Sequence, residues 1–202
     1  MSHPRGFLRT RRLQITAAIG LAAAVTAAVI VAVPGGAAAP ATPPYEPLPN
    51  PPVVGSLKFF NAAGTEIFGG KVDDAPFASY VQSSTPGRSG DNKATLFGYL
   101  PKNGVSYDAW SGQALTASPR YPNASAPGAL ATSTLPVVTV SEFDYKLTDL
   151  VAAFPNSATD AYQGLYQLRV KTSGPGIGLN TSYSVADIKV SGSTWSVVYP
   201  TS

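Results

Sequence analysis

Few residues in this chain are able to carry chemistry. Its one histidine is His3, and it has no cysteine. His3 lies inside a segment that reads as an export leader. The part expected outside the cell therefore lacks a His-based triad, a thiol nucleophile and an N/S zinc site. A serine with lysine as base would need a spacing such as Ser-x-x-Lys, and none occurs beyond the leader. No cofactor-binding motif is found.

Carboxylates come next, because glycoside hydrolysis uses two of them about 5–9.5 Å apart. Asp73-Asp74 are adjacent, and neighbours on a strand point to opposite faces. Glu142 and Asp144 would share a face if extended, so they are the pair to test for a carboxylate glycosidase. They also stand just ahead of a helix, where acids favour the N-terminus. Oxygen ligands can bind Ca²⁺, but no Asp-x-Asp-x-Asp-Gly loop is present, and no metal site is expected.

Aromatic residues offer a binding alternative. Trp110, in the polar run Tyr107-Asp-Ala-Trp110-Ser-Gly112, could lay its indole against a sugar ring with Tyr107 beside it. Trp195 sits in an alternating strand and reads as core. Asn123-Ala-Ser125 and Asn180-Thr-Ser182 are formal glycosylation sequons.

The leader frames all of this. Arg5, Arg9, Arg11 and Arg12 precede an uncharged apolar run from Ile15 to Val33, and Pro34-Gly35-Gly36-Ala37-Ala38-Ala39 closes it. A basic start, an apolar middle and a small-residue exit make a signal peptide, with cleavage expected near Ala38 or Ala39. The apolar run is nineteen residues long, enough to span a bilayer if left uncleaved. Either outcome places residues 40–202 outside, with membrane contact only through this N-terminal hydrophobic helix. Thr10-Arg11-Arg12-Leu13 hints at twin-arginine export, although Gln14-Ile15 follow where Phe-Leu is usual.

Four of the fourteen Lys/Arg lie in the leader and all eleven Asp/Glu lie beyond it, so the exported part carries about −1. That balance offers no basic face for nucleic acid. Without disulfides, the domain must be held by its core.

Seven prolines between Pro40 and Pro52 predict a semi-rigid polyproline II spacer, about 40 Å long at ~3.1 Å per residue. Within it, Pro44-Tyr45-Glu46-Pro47 matches the PxxP form of a ligand for an aromatic groove. Beyond it, Leu57–Phe60 and Glu66–Phe68 flank the turn tetrad Asn61-Ala-Ala-Gly64. Strands are expected over Phe77–Val81, Ala94–Leu100, Pro136–Val140, Leu165–Val170, Tyr183–Val190 and Thr194–Tyr199. In the last strand, Trp195, Val197 and Tyr199 share a face. Residues 101–136 show no clear period and read as long loops. Leu147, Leu150, Val151 and Phe154 form one helical stripe, with Asp144 or Thr148 able to cap it and Pro155 ending it.

The pattern is a mainly β chain: a β-sandwich with one short helix, preceded by the hydrophobic helix and a Pro-rich linker. The boundaries are 1–39 for the signal peptide or anchor, 40–53 for the linker and 54–202 for the domain.

Gly164-Leu-Tyr166-Gln-Leu168 resembles the tyrosine-corner strand of immunoglobulin-like domains, with Leu168 where antibody domains have their second cysteine. Tyr162–Gly174 followed by Ala186–Trp195 looks like the closing half of secreted actinobacterial surface domains. Leu135-Pro-Val-Val138 and Asp149–Asn156 fit the same picture, so the resemblance covers about residues 55–200. It implies an immunoglobulin-like sandwich, an extracellular or cell-surface address and an unidentified cell-surface or cell-wall ligand, but no activity. The expected role is a non-enzymatic structural or adhesive module, with a carbohydrate-binding module and a glycosidase as alternatives. The chain has no Leu-Pro-x-Thr-Gly sorting motif, so covalent wall attachment is not expected.

Overall fold

The computed structural model describes residues 42–48 and 52–200. The expected hydrophobic helix and the cleavage positions Ala38 and Ala39 lie outside the described residues. No helix among the described residues is long and apolar enough to cross a membrane. Strand accounts for 37% of the described residues and helix for 6%, so ladders position the side chains that matter.

The elements run β1 (Val53–Phe60), β2 (Glu66–Ile67), β3 (Gly69–Lys71), β4 (Tyr80–Ser83), β5 (Lys93–Tyr99), β6 (Gly112–Ala114), β7 (Val137–Thr139), α1 (Leu147–Ala153), β8 (Leu165–Ser173), β9 (Tyr183–Ser191) and β10 (Thr194–Tyr199). They form one open multi-strand arrangement, ordered β6-β5-β8-β9-β1-β4-β7 along its main path. β1 divides its length between two neighbours. Its start runs parallel to β9, with Ser56 opposite Val185. Its end runs antiparallel to β4, with Leu57 opposite Ser83 and Phe60 opposite Tyr80. β10 pairs back on β9 and takes β3 on its far side.

The predicted first hairpin forms. Asn61 Oδ1 accepts the Ala63 and Thr65 amides, both at 3.0 Å, and Gly64 takes φ +78°, a region open to glycine at no steric cost. Phe59 then pairs with Ile67.

Period-two alternation sends Tyr166, Leu168 and Val170 of β8, with Ala186 and Ile188 of β9, into one core shared with Phe59, Val81, Leu96 and Val138. Trp195 joins that core as its sequence context predicts, edge-on to Phe59 and Phe77. Leu147 and Leu150 bury the helical stripe in the same place, each contributing roughly 1.5–3 kcal/mol. A Cβ on Gly98 would meet Leu150 Cδ2 at 2.7 Å, so glycine at this point of β5 lets α1 approach closely.

Three sequence expectations are corrected. The helix cap is neither Asp144 nor Thr148: Asp149 accepts the Lys146 amide at 2.9 Å from the first turn. The alternation of β10 breaks at a bulge between Val197 and Tyr199, which turns Val198 inward to 3% exposure. Within 101–136, β6 pairs with β5, and a 3₁₀ turn at Gly128–Leu130 builds a small satellite core from Ala126, Leu130 and Val137. These pieces are too short for a period to show.

Candidate functional site

Several side chains of β8 and β9 that point away from the main core are also buried, among them the polar Gln167, Arg169 and Asp187. Register sets Tyr99 opposite Gln167, and Gln167 opposite Asp187. Gln167 and Asp187 have no measurable exposure, and Arg169 has 2%. The Arg169 guanidinium lies 4.1 Å from the Tyr99 ring centre and 4.5 Å from that of Tyr183, with Trp110 at 5.4 Å. Its Nε donates to Gln167 Oε1 at 2.7 Å, and its Nη2 donates to the Tyr107 carbonyl at 3.0 Å. Gln167 is thereby fixed with its amide nitrogen forward. That Nε2 donates to Asp187 Oδ1 at 3.0 Å and to Glu46 Oε1 at 3.2 Å.

Glu46 comes from the Pro-rich stretch, and here the spacer expectation changes. Over residues 42–48 the chain turns, with the Glu46 amide donating to the Pro43 carbonyl at 2.9 Å, and lies against the sheet. Leu48 is 6% exposed. Tyr45 meets Trp110 edge-on at 5.0 Å and leans on Tyr162 at 5.6 Å. The prolines disfavour regular secondary structure, but the two large apolar side chains between them gain more by burial than a solvated spacer retains. Residues 42–48 are referred to below as the strap.

The electrostatics follow from burial without a compensating ion pair. Burial, and then the nearby Glu46 carboxylate, push the Asp187 carboxyl well above the usual carboxylate range. Burial also raises Glu46, opposed in part by the Leu48 amide. The two acids share one amide donor and behave as one titrating pair that retains a proton beyond the pH at which an ordinary carboxyl loses it. Burial lifts the Tyr183 hydroxyl to about 12 and lifts Tyr45 further still. Burial lowers Arg169, with the nearby tyrosines and Asp187 opposing that shift. Tyr45 Oη and Asp187 Oδ2 influence one another, yet neither completes a well-directed hydrogen bond among the described residues. A cation is poorly suited to this place, because the Gln167 amide hydrogens and Arg169 face the acids. Between the strap and the loop before β6, Pro44, Tyr45, Val105, Tyr107, Trp110 and Tyr162 line an open groove of about 520 Å³.

Trp110 and Tyr107 do come together, but as a floor rather than a sugar platform. Trp110 is 5% exposed, covered by Tyr45, and its Nε1 donates to the Val105 carbonyl at 2.9 Å. Tyr107 is partly buried and supplies its carbonyl to Arg169. The other nominated residues lie elsewhere. Glu142 is exposed on the turn before α1. Asp144 on that turn accepts the Ser141 amide at 2.8 Å, the Ser141 hydroxyl at 2.9 Å and the Ala117 amide at 3.1 Å. Because this segment is a turn, the face the two acids would share on a strand does not exist. Asp74 accepts the Lys71 amide at the end of β3 and Asp73 is exposed. In the sequons, Asn123 donates to Thr139 Oγ1 at 2.8 Å, and Asn180 closes a turn by accepting the Ser182 amide.

Comparison with known proteins finds no matching family model, no matching curated protein and no matching solved structure. The site must therefore be read from its own chemistry. Gln167, Arg169 and Asp187 are absent from the residues nominated by sequence, and Glu46 figures there only within the Pro44–Pro47 motif. A signal for one of them exists: Asp187 shares a strand face with the apolar Val185, whereas Arg169, between Gln167 and Lys171 on its face, alternates as an ordinary solvated residue does.

Proposed function

We propose that this chain is a non-enzymatic extracellular or cell-surface module with a structural or adhesive role, built as an immunoglobulin-like sandwich behind an exported N-terminal segment. The observation that carries the reading is the enclosure of Asp187 beneath the strap. Glu46 and Asp187 are the two coupled carboxyls, and Glu46 is itself part of the strap that packs against Asp187. Asp187 has no solvent exposure and its bonded oxygen is held by an amide, which suits packing better than proton transfer to a substrate.

Two features support the sandwich. β1 passes from one ladder to another while residues of both share a core. The Tyr166 hydroxyl donates to the Phe154 carbonyl at 2.9 Å, tying the start of β8 to the end of α1 as a tyrosine corner does. For adhesion, the turn before α1 carries Phe143 at 91% exposure and Tyr145 at 52%. With Trp110 covered, the carbohydrate-binding reading loses its platform.

The test is retention of the purified chain on intact cells and on isolated wall material from the source organism, beside Phe143→Ser/Tyr145→Ser. Retention that falls severalfold in the double variant supports the reading. Polysaccharide turnover that disappears in Glu142→Gln or Asp187→Asn would overturn it.

A further inference from the structure

The strap is held as a bound peptide is held. Its backbone bonds among the described residues are internal, Glu46 to Pro43 and the Leu48 amide to Glu46 Oε2 at 3.2 Å. It reaches the rest of the domain through side chains: Tyr45 against Trp110 and Tyr162 of the loops, and Glu46 on Gln167 of β8. The groove beside it remains open. Aromatic-lined grooves suit proline-flanked segments, whose restricted backbone loses little entropy on docking. The floor adds two specific demands. Gln167 Nε2 requires an acceptor where Glu46 sits, and Trp110 offers a ring edge contact where Tyr45 sits.

We infer that the groove lined by Val105, Tyr107, Trp110 and Tyr162, together with Gln167 of β8, is a recognition groove for a proline-flanked Tyr-Glu segment, that Pro44-Tyr45-Glu46-Pro47 is its resident occupant, and that a segment of the same chemistry on another polypeptide displaces it. This goes beyond the proposed role, because it holds wherever the chain resides. The resident segment acts at the effective concentration of a tethered ligand, on the order of millimolar. The intact chain therefore binds an outside segment weakly, and loosening the strap exposes the full affinity. Protons report on the same event. The groups acting on the strap acid are Gln167 and Arg169 from β8, Asp187 and Tyr183 from β9, and Tyr199 from β10, with Tyr45 beside it on the strap. Of these, Asp187 and Glu46 itself shift upward as acids, so docking takes up protons and weakens as pH rises.

The probe is the labelled heptapeptide Thr-Pro-Pro-Tyr-Glu-Pro-Leu, titrated by anisotropy into the full chain and into its Tyr45→Ala/Glu46→Ala variant. Saturable binding at least about tenfold tighter to the variant is expected, weaker at pH 8 than at pH 5, and lost when the peptide itself carries Tyr45→Ala. A variant with unaltered near-ultraviolet dichroism that binds no better than the full chain overturns the inference, as does equal binding of the altered peptide. If the variant does not fold, hydrogen exchange on the unaltered chain decides. Faster exchange of residues 42–48 in excess peptide supports displacement, and unchanged exchange overturns it.

Discussion

Two buried aspartates sit beside the same pair of strands and are treated in opposite ways. Asp91 receives Arg88 through its amide at 3.0 Å, its Nε at 3.2 Å and its Nη2 at 3.1 Å, and Thr172 Oγ1 at 2.6 Å. Arg88 also reaches the Gly178 carbonyl, which pins the loop before β5 to the β8–β9 connection. Among the described residues Asp187 receives one amide hydrogen on one oxygen, and the strongest charge acting on it is that of another acid. Burial pushes both carboxyls up. At Asp91 the bonds from Arg88 and Thr172 outweigh burial and hold it low, whereas at Asp187 little opposes burial and it stands high. Burial alone thus fixes neither the sign of a shift nor the role of the residue; the partner does. A forked guanidinium makes a permanent fastening, while a shared amide and a second acid make one whose hold depends on pH.

The largest effect expected from breaking the comparison is at Asp91. Asp91→Ala strips four donors of their acceptor. Arg88 is 41% exposed and can rehydrate, so the cost is set at about 2–3 kcal/mol rather than the 3–5 typical of a fully buried pair. Urea unfolding measures it, and a cost below about 0.5 kcal/mol would reduce this cluster to an ordinary surface pair.

The pH dependence of stability separates the two clusters next. A carboxyl held low contributes stability that is present above its unfolded value and is lost as pH falls through its folded one. That is the case of Asp91, so its contribution fades on the acid side. A carboxyl held high binds its proton more tightly when folded. Its contribution is present below the unfolded value, and is drawn down as pH rises from the ordinary carboxylate range to the raised value. Glu46 and Asp187 therefore weaken the fold toward neutral and alkaline pH, at up to about 1.4 kcal/mol per pH unit for each proton lost. Urea midpoints between pH 3 and 9 are expected to decline on both sides. Asp187→Asn keeps the acceptor for Gln167 and removes the charge, so it should flatten the alkaline decline and leave the acid one. An unchanged alkaline limb in that variant would place the titration elsewhere.

The sequence exposes these clusters unequally, and the reason is distance along the chain. The ladders that carry them were legible, because alternation and turn chemistry act over a few residues: Asn61–Gly64 between β1 and β2, or the stripe from Leu147 to Phe154. Trp195 was assignable to the core on the same grounds. The candidate site was not. Glu46 meets Gln167 across more than a hundred residues, and nothing local says that a proline-rich stretch will fold back. Tyr45 and Leu48 were the clue, since a plain spacer has no use for two large apolar side chains. Trp110 misled for a related reason: a polar neighbourhood in sequence does not exclude a tyrosine arriving from sixty-five residues upstream to cover the ring.

The smallest expected effect tests how complete the strap cluster is. Tyr166 and Tyr45 both have enclosed hydroxyls, but Tyr166 donates to the Phe154 carbonyl whereas Tyr45 Oη completes no well-directed bond. Tyr166→Phe should then cost about 1 kcal/mol. Tyr45→Phe should fall within about 0.5 kcal/mol of the parent, because the ring contacts with Trp110 persist and no full bond is lost. Thermal or urea unfolding of the two variants side by side gives the comparison directly. If Tyr45→Phe costs as much as Tyr166→Phe, the hydroxyl donates to Asp187 in solution. Asp187 would then be as well provided on that oxygen as Asp91 is. The contrast between a permanent fastening and a titrating one would then rest on the Glu46 carboxylate alone.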